Sequence, residues 1–325
     1  MKPKIFVTRK LPSAAMEKLE EFFHVSVNPE DRVLSRDEIR QGMQECDILL
    51  PLLTDTIDAE MMRSAPSLKG ISNYAVGFNN IDVEAATELG LPVCNTPGVL
   101  TDATADLTWA LLMAVTRRVV EADQYNRAGK FQGWAPLLFL GADIYGKTLG
   151  IIGTGRIGSA VAHRATGFKL KILYHDHKRN EALEKELKAE YVPLNDLLRT
   201  ADFVTLHVPL LPETTELIGE KELRSMQSTA YLINTSRGKV VNETALVKAL
   251  QEGWIAGAGL DVYYNEPELH PGLKECPNTV LLPHIASATT GSRTAMGMLA
   301  AENAIAIIKG EKPPHIVNPE VLNKQ

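Results

Sequence analysis

Arg237, Glu266 and His284 each lie just beyond a short apolar run, the runs being 230–233, 257–260 and 279–282. Runs of that length read as buried strands, so the three side chains stand at or past strand ends. Their types suit one reaction. Arginine offers a planar fork that matches a carboxylate and polarises a neighbouring carbonyl. Histidine can give its proton to a carbonyl oxygen as hydride reaches the carbon. Glutamate beside the histidine favours the imidazolium and holds the ring in position. Together they fit the reduction of a 2-keto acid. Singly, each has a plainer reading: Arg-Gly as a surface turn, Glu-Pro as a turn or helix start, Pro-His as a partner for a backbone carbonyl.

Such chemistry needs a hydride carrier, and Gly153-Thr-Gly-Arg-Ile-Gly158 could hold one. The stretch 149–152 before it reads as a strand and 159–166 after it as a helix, the context that turns G-x-G-x-x-G into a dinucleotide site. Gly153 permits the tight turn, Gly155 lets a pyrophosphate approach the backbone, and Gly158 lets helix and strand pack closely. The phosphates would meet free N–H groups at the helix start. A second strand, 170–174, leads to Asp176, roughly 20 residues past the motif, where an acid can bind ribose hydroxyls. That carboxylate favours NAD(H). Lys178 and Arg179 follow it and leave NADP(H) possible. His175 and His177 flank it and read as borders of the adenosine pocket rather than as metal ligands; no metal is expected anywhere.

The elements that must position these groups come in two sets. Over the first hundred residues strands are expected at 5–8, 24–27, 48–50, 68–73 and 91–94. Helices alternate with them: 13–23 with Ala14, Leu19 and Phe22 inward, one capped by Ser35 with Glu38 completing a capping box, and 59–64. After Asn95-Thr-Pro-Gly98 one long helix is expected over 101–127, then an aromatic loop with Trp134. Strands follow at 149–152, 170–174, 203–207, 230–234, 257–261 and 279–282, their continuous apolar runs pointing to a sheet buried on both faces. A helix over 287–309 closes the pattern. This predicts two α/β domains with doubly wound parallel sheets, joined by two long helices. The first covers 1–100 and is completed by 290–325; the second covers 101–289. A cleft between them would face the carboxyl ends of the second sheet.

Composition sets outer bounds. The chain has 325 residues, 45% of them hydrophobic and 23% charged, with a net charge of -6. That balance argues against nucleic acid as a partner. No run is long enough for a membrane span, and the N-terminal apolar run is too short for a signal peptide. Cys46, Cys94 and Cys276 are far apart and odd in number, which suits idle thiols in a cytoplasmic protein.

Five ordered motifs carry a family likeness. They are Gly153-Thr-Gly-Arg-Ile-Gly158, His207-Val-Pro-Leu-Leu-Pro-Glu-Thr214, Ile233-Asn-Thr-Ser-Arg-Gly238, Gly259-Leu-Asp-Val262 with Glu266-Pro267, and Leu282-Pro-His-Ile-Ala-Ser287. With them the chain resembles the D-isomer-specific 2-hydroxyacid dehydrogenases over nearly its whole length. Residues 96–104 and 133–137 look most like the glyoxylate/hydroxypyruvate reductases within that family. The resemblance implies a flavodoxin-like substrate domain beside a Rossmann domain. It implies that Arg237 binds substrate, that His284 is the acid/base, and that Glu266 is its partner. Val76 and Gly77 would offer N–H groups to the substrate carboxylate, and substrate size would depend on the loops 52–54, with Leu53, and 134–136, with Trp134. Thr108, Arg156, Ile157, Asp176, Val208, Pro209, Thr235, Ser236, Asp261, His284 and Ser287 would line the cofactor site with the three glycines. A homodimer built around the domain-linking region is also implied, with the Trp134 loop reaching toward the neighbouring subunit's cleft; a local packing role for Trp134 is the alternative. The substrate expected is glyoxylate or hydroxypyruvate. Alternatives are a 3-phosphoglycerate or 2-ketogluconate type of keto acid, or a nucleotide-sensing corepressor-like protein without turnover.

Overall fold

The computed structural model describes residues 2–323 and divides the chain into two compact units. Unit 1 runs up to Leu100 and resumes at Ala288; unit 2 is Thr101–Ser287. The chain therefore leaves unit 1 at the start of one helix, Thr101–Thr116, and re-enters it just before another, Thr290–Lys309.

Unit 1 is built on five parallel strands, β1 (Lys4–Val7), β2 (His24–Val27), β3 (Ile48–Leu50), β4 (Gly70–Ser72) and β5 (Val93–Cys94). Their order is β2-β1-β3-β4-β5, the flavodoxin-like arrangement. Successive strand residues face opposite sides, and both sides are covered. Phe6, Leu49, Ile71 and Val93 join one apolar cluster with Ile39, Met43 and Met61. On the other side Ser72 Oγ donates to the Ala300 carbonyl (2.8 Å) in the helix Thr290–Lys309. The capping box forms: Ser35 accepts from the Glu38 N–H, and the Glu38 carboxylate accepts from the Ser35 N–H. In the first helix, Ser13–Phe22, the inward residues are Ala15, Met16 and Leu19, followed by Phe23; Ala14 is exposed and Phe22 half-buried. Spacing from Leu19 explains it, because Ala15 and Met16 lie four and three residues back on the same stripe.

Unit 2 has seven parallel strands: β6 (Thr148–Ile152), β7 (Lys171–His175), β8 (Glu190–Tyr191), β9 (Phe203–Leu206), β10 (Tyr231–Asn234), β11 (Gly257–Leu260) and β12 (Thr279–Leu281). Their order, β12-β11-β10-β9-β6-β7-β8, is the Rossmann pattern with its switch point between β6 and β9. Ile151, Phe203 and Ile233 pack on one face with Leu111 and Leu112. Their neighbours Ile152, Val204 and Leu232 pack on the other with Leu246 and Leu250. The edge strand β8 was not expected. Both its residues are exposed, so it lacks the apolar run that marks its neighbours.

The expected single helix over 101–127 is two, Thr101–Thr116 and Val119–Arg127. Arg118 between them takes a left-handed backbone (φ 53). The carbonyl of Thr116 accepts from the N–H of Ala142 (3.0 Å), so a returning loop ends the first helix.

Candidate active site

The glycine turn leaves β6 at Gly153, whose φ of 90 favours glycine. A Cβ there would lie 2.8 Å from the backbone of His207 at the end of β9, and one at Gly158 would lie 2.0 Å from the Gly153 carbonyl oxygen. Strand, turn and helix thus pack without room for side chains at either place. Above Gly155 the space is open. Gly155 also precedes the helix Arg156–Ala165 with no side chain capping it, and Arg156 is exposed beside it. An open helix start with a neighbouring cation suits a pyrophosphate. Ile157 and Val208 are half-buried and Pro209 is exposed.

Asp176 follows β7. Its Oδ2 accepts from the Thr154 N–H (2.6 Å) and hydroxyl (3.0 Å). Its Oδ1 accepts from the His177 N–H (2.7 Å) and lies 2.6 Å from His177 Nδ1. Burial pushes this carboxyl up, but the hydrogen bonds from Thr154 and His177 outweigh it and hold the group below the usual carboxylate range. Arg179 turns away to pair with Glu184 (2.7 Å). His163 makes a surface contact with Glu186 (3.6 Å). Cys46 and Cys94 are buried, and burial pushes both thiols up to about 12.

The three chemistry-bearing residues are held by turns at the carboxyl ends of β10, β11 and β12. Asn234 organises the first turn. Its Oδ1 accepts from the Ser236 N–H (3.0 Å) and hydroxyl (2.9 Å), and its Nδ2 donates to the Arg237 carbonyl (2.9 Å). Thr235 in the same turn pairs with Thr108 across 2.9 Å. The Arg237 Nη1 donates to the Ser236 carbonyl (2.7 Å). Burial lowers the Arg237 pKa, and the charge of Glu266 works against that.

Glu266 and His284 meet, with Nδ1 to Oε2 at 2.8 Å. The other carboxylate oxygen accepts from the Tyr263 N–H (3.0 Å). Burial raises the Glu266 carboxyl, but its hydrogen bond to His284, the His284 charge and the charge of Arg237 bring it below its ordinary value. An ionised carboxylate only accepts, so Nδ1 carries the hydrogen and Nε2 is the atom left for proton transfer. His284 sits at φ 54, an uncommon backbone for a bulky residue and one met at active sites. Asp261 fixes that turn. Fully buried, it accepts from the N–H groups of Ile285 and Ala286, each at 2.8 Å. Ser287, next in the chain, is half-buried.

Two residues of this scaffold escaped the sequence reading. A Cβ on Gly238 would fall 1.9 Å from the Tyr263 carbonyl, so the turn carrying Arg237 rests directly on the turn leading to Glu266. The signal was present in the Arg-Gly pair. Glu243, buried, accepts from the Tyr264 N–H (2.6 Å) and anchors the same turn; in sequence it looks like an ordinary first-turn acid. His207 is a third surprise. Burial pushes its imidazole down to about 3, and its buried Nε2 has no partner among the described residues.

In unit 1, the loop after β4 carries Val76 and Gly77. Their carbonyls accept from the side-chain amides of Asn95 (2.7 Å) and Asn73 (3.0 Å). Neither N–H has an acceptor among the described residues, which leaves two adjacent donors for an anion. Leu53, in the loop after β3, is half-buried. Trp134 is 86% exposed.

Comparison with known proteins settles the family. The model of the D-isomer specific 2-hydroxyacid dehydrogenase NAD-binding domain matches residues 109–286. The chain is 54% identical to a glyoxylate reductase of Korarchaeum cryptofilum, across 99% of this chain and 98% of that one. It belongs to the D-isomer-specific 2-hydroxyacid dehydrogenases. Among solved relatives, a Thermus thermophilus protein superposes with a TM-score of 0.90 at 44% identity, covering 97% of this chain and 99% of that one. An NADPH-dependent glyoxylate/hydroxypyruvate reductase from Sinorhizobium meliloti, solved with NADP and malonate, has a TM-score of 0.86 at 34% identity, covering 98% and 97%. The dehydrogenase is thus an NAD(P)-dependent oxidoreductase. Among its described residues no helix is long and apolar enough to cross a membrane.

Proposed function

We propose that this dehydrogenase reduces glyoxylate, and hydroxypyruvate as a second substrate, to the corresponding 2-hydroxy acid, with NADH preferred over NADPH. The observation that carries the reading is the Glu266–His284 contact at 2.8 Å beside Arg237, on adjacent strand ends. Relatives named glyoxylate reductase at about 50% identity over the full chain support the substrate.

The nicotinamide cofactor, when bound, supplies the hydride. Gly155 and the start of the helix Arg156–Ala165 hold its phosphates, and Asp176 takes the ribose hydroxyls. Arg237 grips the substrate carboxylate and polarises the carbonyl, and the N–H groups of Val76 and Gly77 are proposed as further donors to the carboxylate. His284 delivers the proton from Nε2 to the carbonyl oxygen. Glu266 keeps the ring oriented for that transfer. The reading also makes the enzyme a homodimer. The helix Val119–Arg127 has no buried residue, and Phe131, Trp134, Leu137, Leu140 and Tyr145 near it are 55%, 86%, 78%, 62% and 62% exposed. So much apolar surface on one segment marks an association site.

NADH preference rests on Asp176, whose charge opposes a 2′-phosphate, and on Arg179 being engaged with Glu184. The test is steady-state kcat/KM for glyoxylate, hydroxypyruvate, 3-phosphohydroxypyruvate and 2-ketogluconate with each cofactor. Glyoxylate with NADH should rank first, and Asp176→Ser should raise relative use of NADPH. No turnover on any of the acids would overturn the enzymatic reading; strong NADPH preference in the parent would overturn the cofactor assignment alone.

A further inference from the structure

Unit 1 holds a cavity of about 620 Å³ that the reaction above does not use. Its walls include Arg9, Lys10 and Leu11 after β1, Leu52 after β3, Tyr74 after β4, and Arg293. In the order β2-β1-β3-β4-β5 the chain departs from β1 to one side and returns to the other. The loops after β1 and β3 therefore diverge, and open α/β sheets take ligands in that crevice.

The charges around the cavity do not cancel. Asp31 on its wall pairs with Arg9 (2.6 Å), and Glu30 pairs with Arg32. Both acids point largely to solvent, their side chains 91% and 63% exposed. Arg293 is half-buried and pairs with no carboxylate among the described residues. Its neighbour is Tyr74, whose hydroxyl donates to the Arg293 carbonyl (2.7 Å) and lies beside its guanidinium. Lys10 at the exposed rim likewise pairs with no carboxylate. A guanidinium drawn partly out of water without a counter-ion is costly, and a bound anion removes that cost.

We propose that this cavity is a binding site for a small di-anion, a phosphate or a short dicarboxylate. Arg293 supplies the fork, Lys10 the second cation, and Leu11 and Leu52 the cover for a carbon skeleton. Two experiments test it, and neither rests on the proposed function.

In the first, inorganic phosphate is titrated against the full chain and the rise in melting temperature is followed. Arg293→Gln should weaken the saturable response about tenfold, the loss of one charge-assisted contact. Lys10→Gln, at an exposed position, should weaken it by less and serves if the arginine variant fails to fold. Arg237→Gln should keep the response. In the second, succinate takes the place of phosphate, and Arg293→Gln should again weaken the response about tenfold. A saturable, Arg293-dependent rise with either anion supports the site. Phosphate binding that survives both Arg293→Gln and Lys10→Gln but is lost in Arg237→Gln would overturn it. So would an Arg293→Gln enzyme indistinguishable from the parent in both experiments.

Discussion

The carboxyl edge of the second sheet and the segment from Val119 to Tyr145 belong to the same unit but are finished to different degrees. At the sheet edge each of the three candidate catalytic side chains has a support. Asn234 ties the Arg237 turn, Asp261 the His284 turn, and Glu243 the approach to Glu266. In the segment, the helix Val119–Arg127 buries nothing, and Trp134 and Leu137 stand 86% and 78% exposed. Chemistry requires groups preorganised to within fractions of an ångström, so its supports are built into one chain. The exposed segment has no comparable supports, and under the proposed dimer it would be completed by a second copy.

The comparison can be broken first at its strong end. His284→Ala should lower turnover about 100- to 10,000-fold, the usual worth of a positioned acid–base group, while NADH binding measured by fluorescence changes little. Near-normal turnover would mean that the sheet edge is well ordered for some other purpose. The next expected effect is on assembly. Leu137→Asp places a charge in the exposed apolar segment and should shift the enzyme toward monomer by light scattering, with the melting curve of the isolated fold little altered. A parent that is already monomeric would show that the segment is finished as it stands.

The smallest effect concerns pH. Glu266 has its carboxyl lowered in the fold, because its contacts with His284 and Arg237 outweigh burial. Its contribution to stability is therefore complete above the unfolded value, about 4.3, and is lost as pH falls through the folded value. Glu266→Gln should flatten that acid-side loss in a melting series. An acid-side loss of the same size in the variant would mean that the 2.8 Å contact orients the ring without stabilising the fold.

Much of the site was legible in order of residues. The strands β2 and β3 fell at the residues expected, and the glycine turn, the acid after β7 and the three candidate catalytic residues all follow strands. What the sequence did not announce were contacts between distant segments. Nothing in the run around Asp261 says that both its oxygens bind the backbone of Ile285 and Ala286. Glu243 looks like any acid at a helix start. The break after Thr116 was hidden because both pieces have helical periodicity; the loop residue that takes the Thr116 carbonyl, Ala142, comes much later in the chain. The edge strand β8 was hidden because it buries neither residue.

The sequence by itself determined the alternation of strands and helices, the family, and which residue types could bind a dinucleotide and move a proton. These are local matters: periodicity, glycine at turns, and chemical groups in a fixed order. The tertiary structure alone decided that Nδ1 of His284 faces Glu266, that Gly238 lets two turns touch, and that Arg293 lines a cavity without a carboxylate partner among the described residues. Each is a distance between atoms far apart in the chain. Such distances follow from how the sheets pack and twist, and no single stretch of residues contains them.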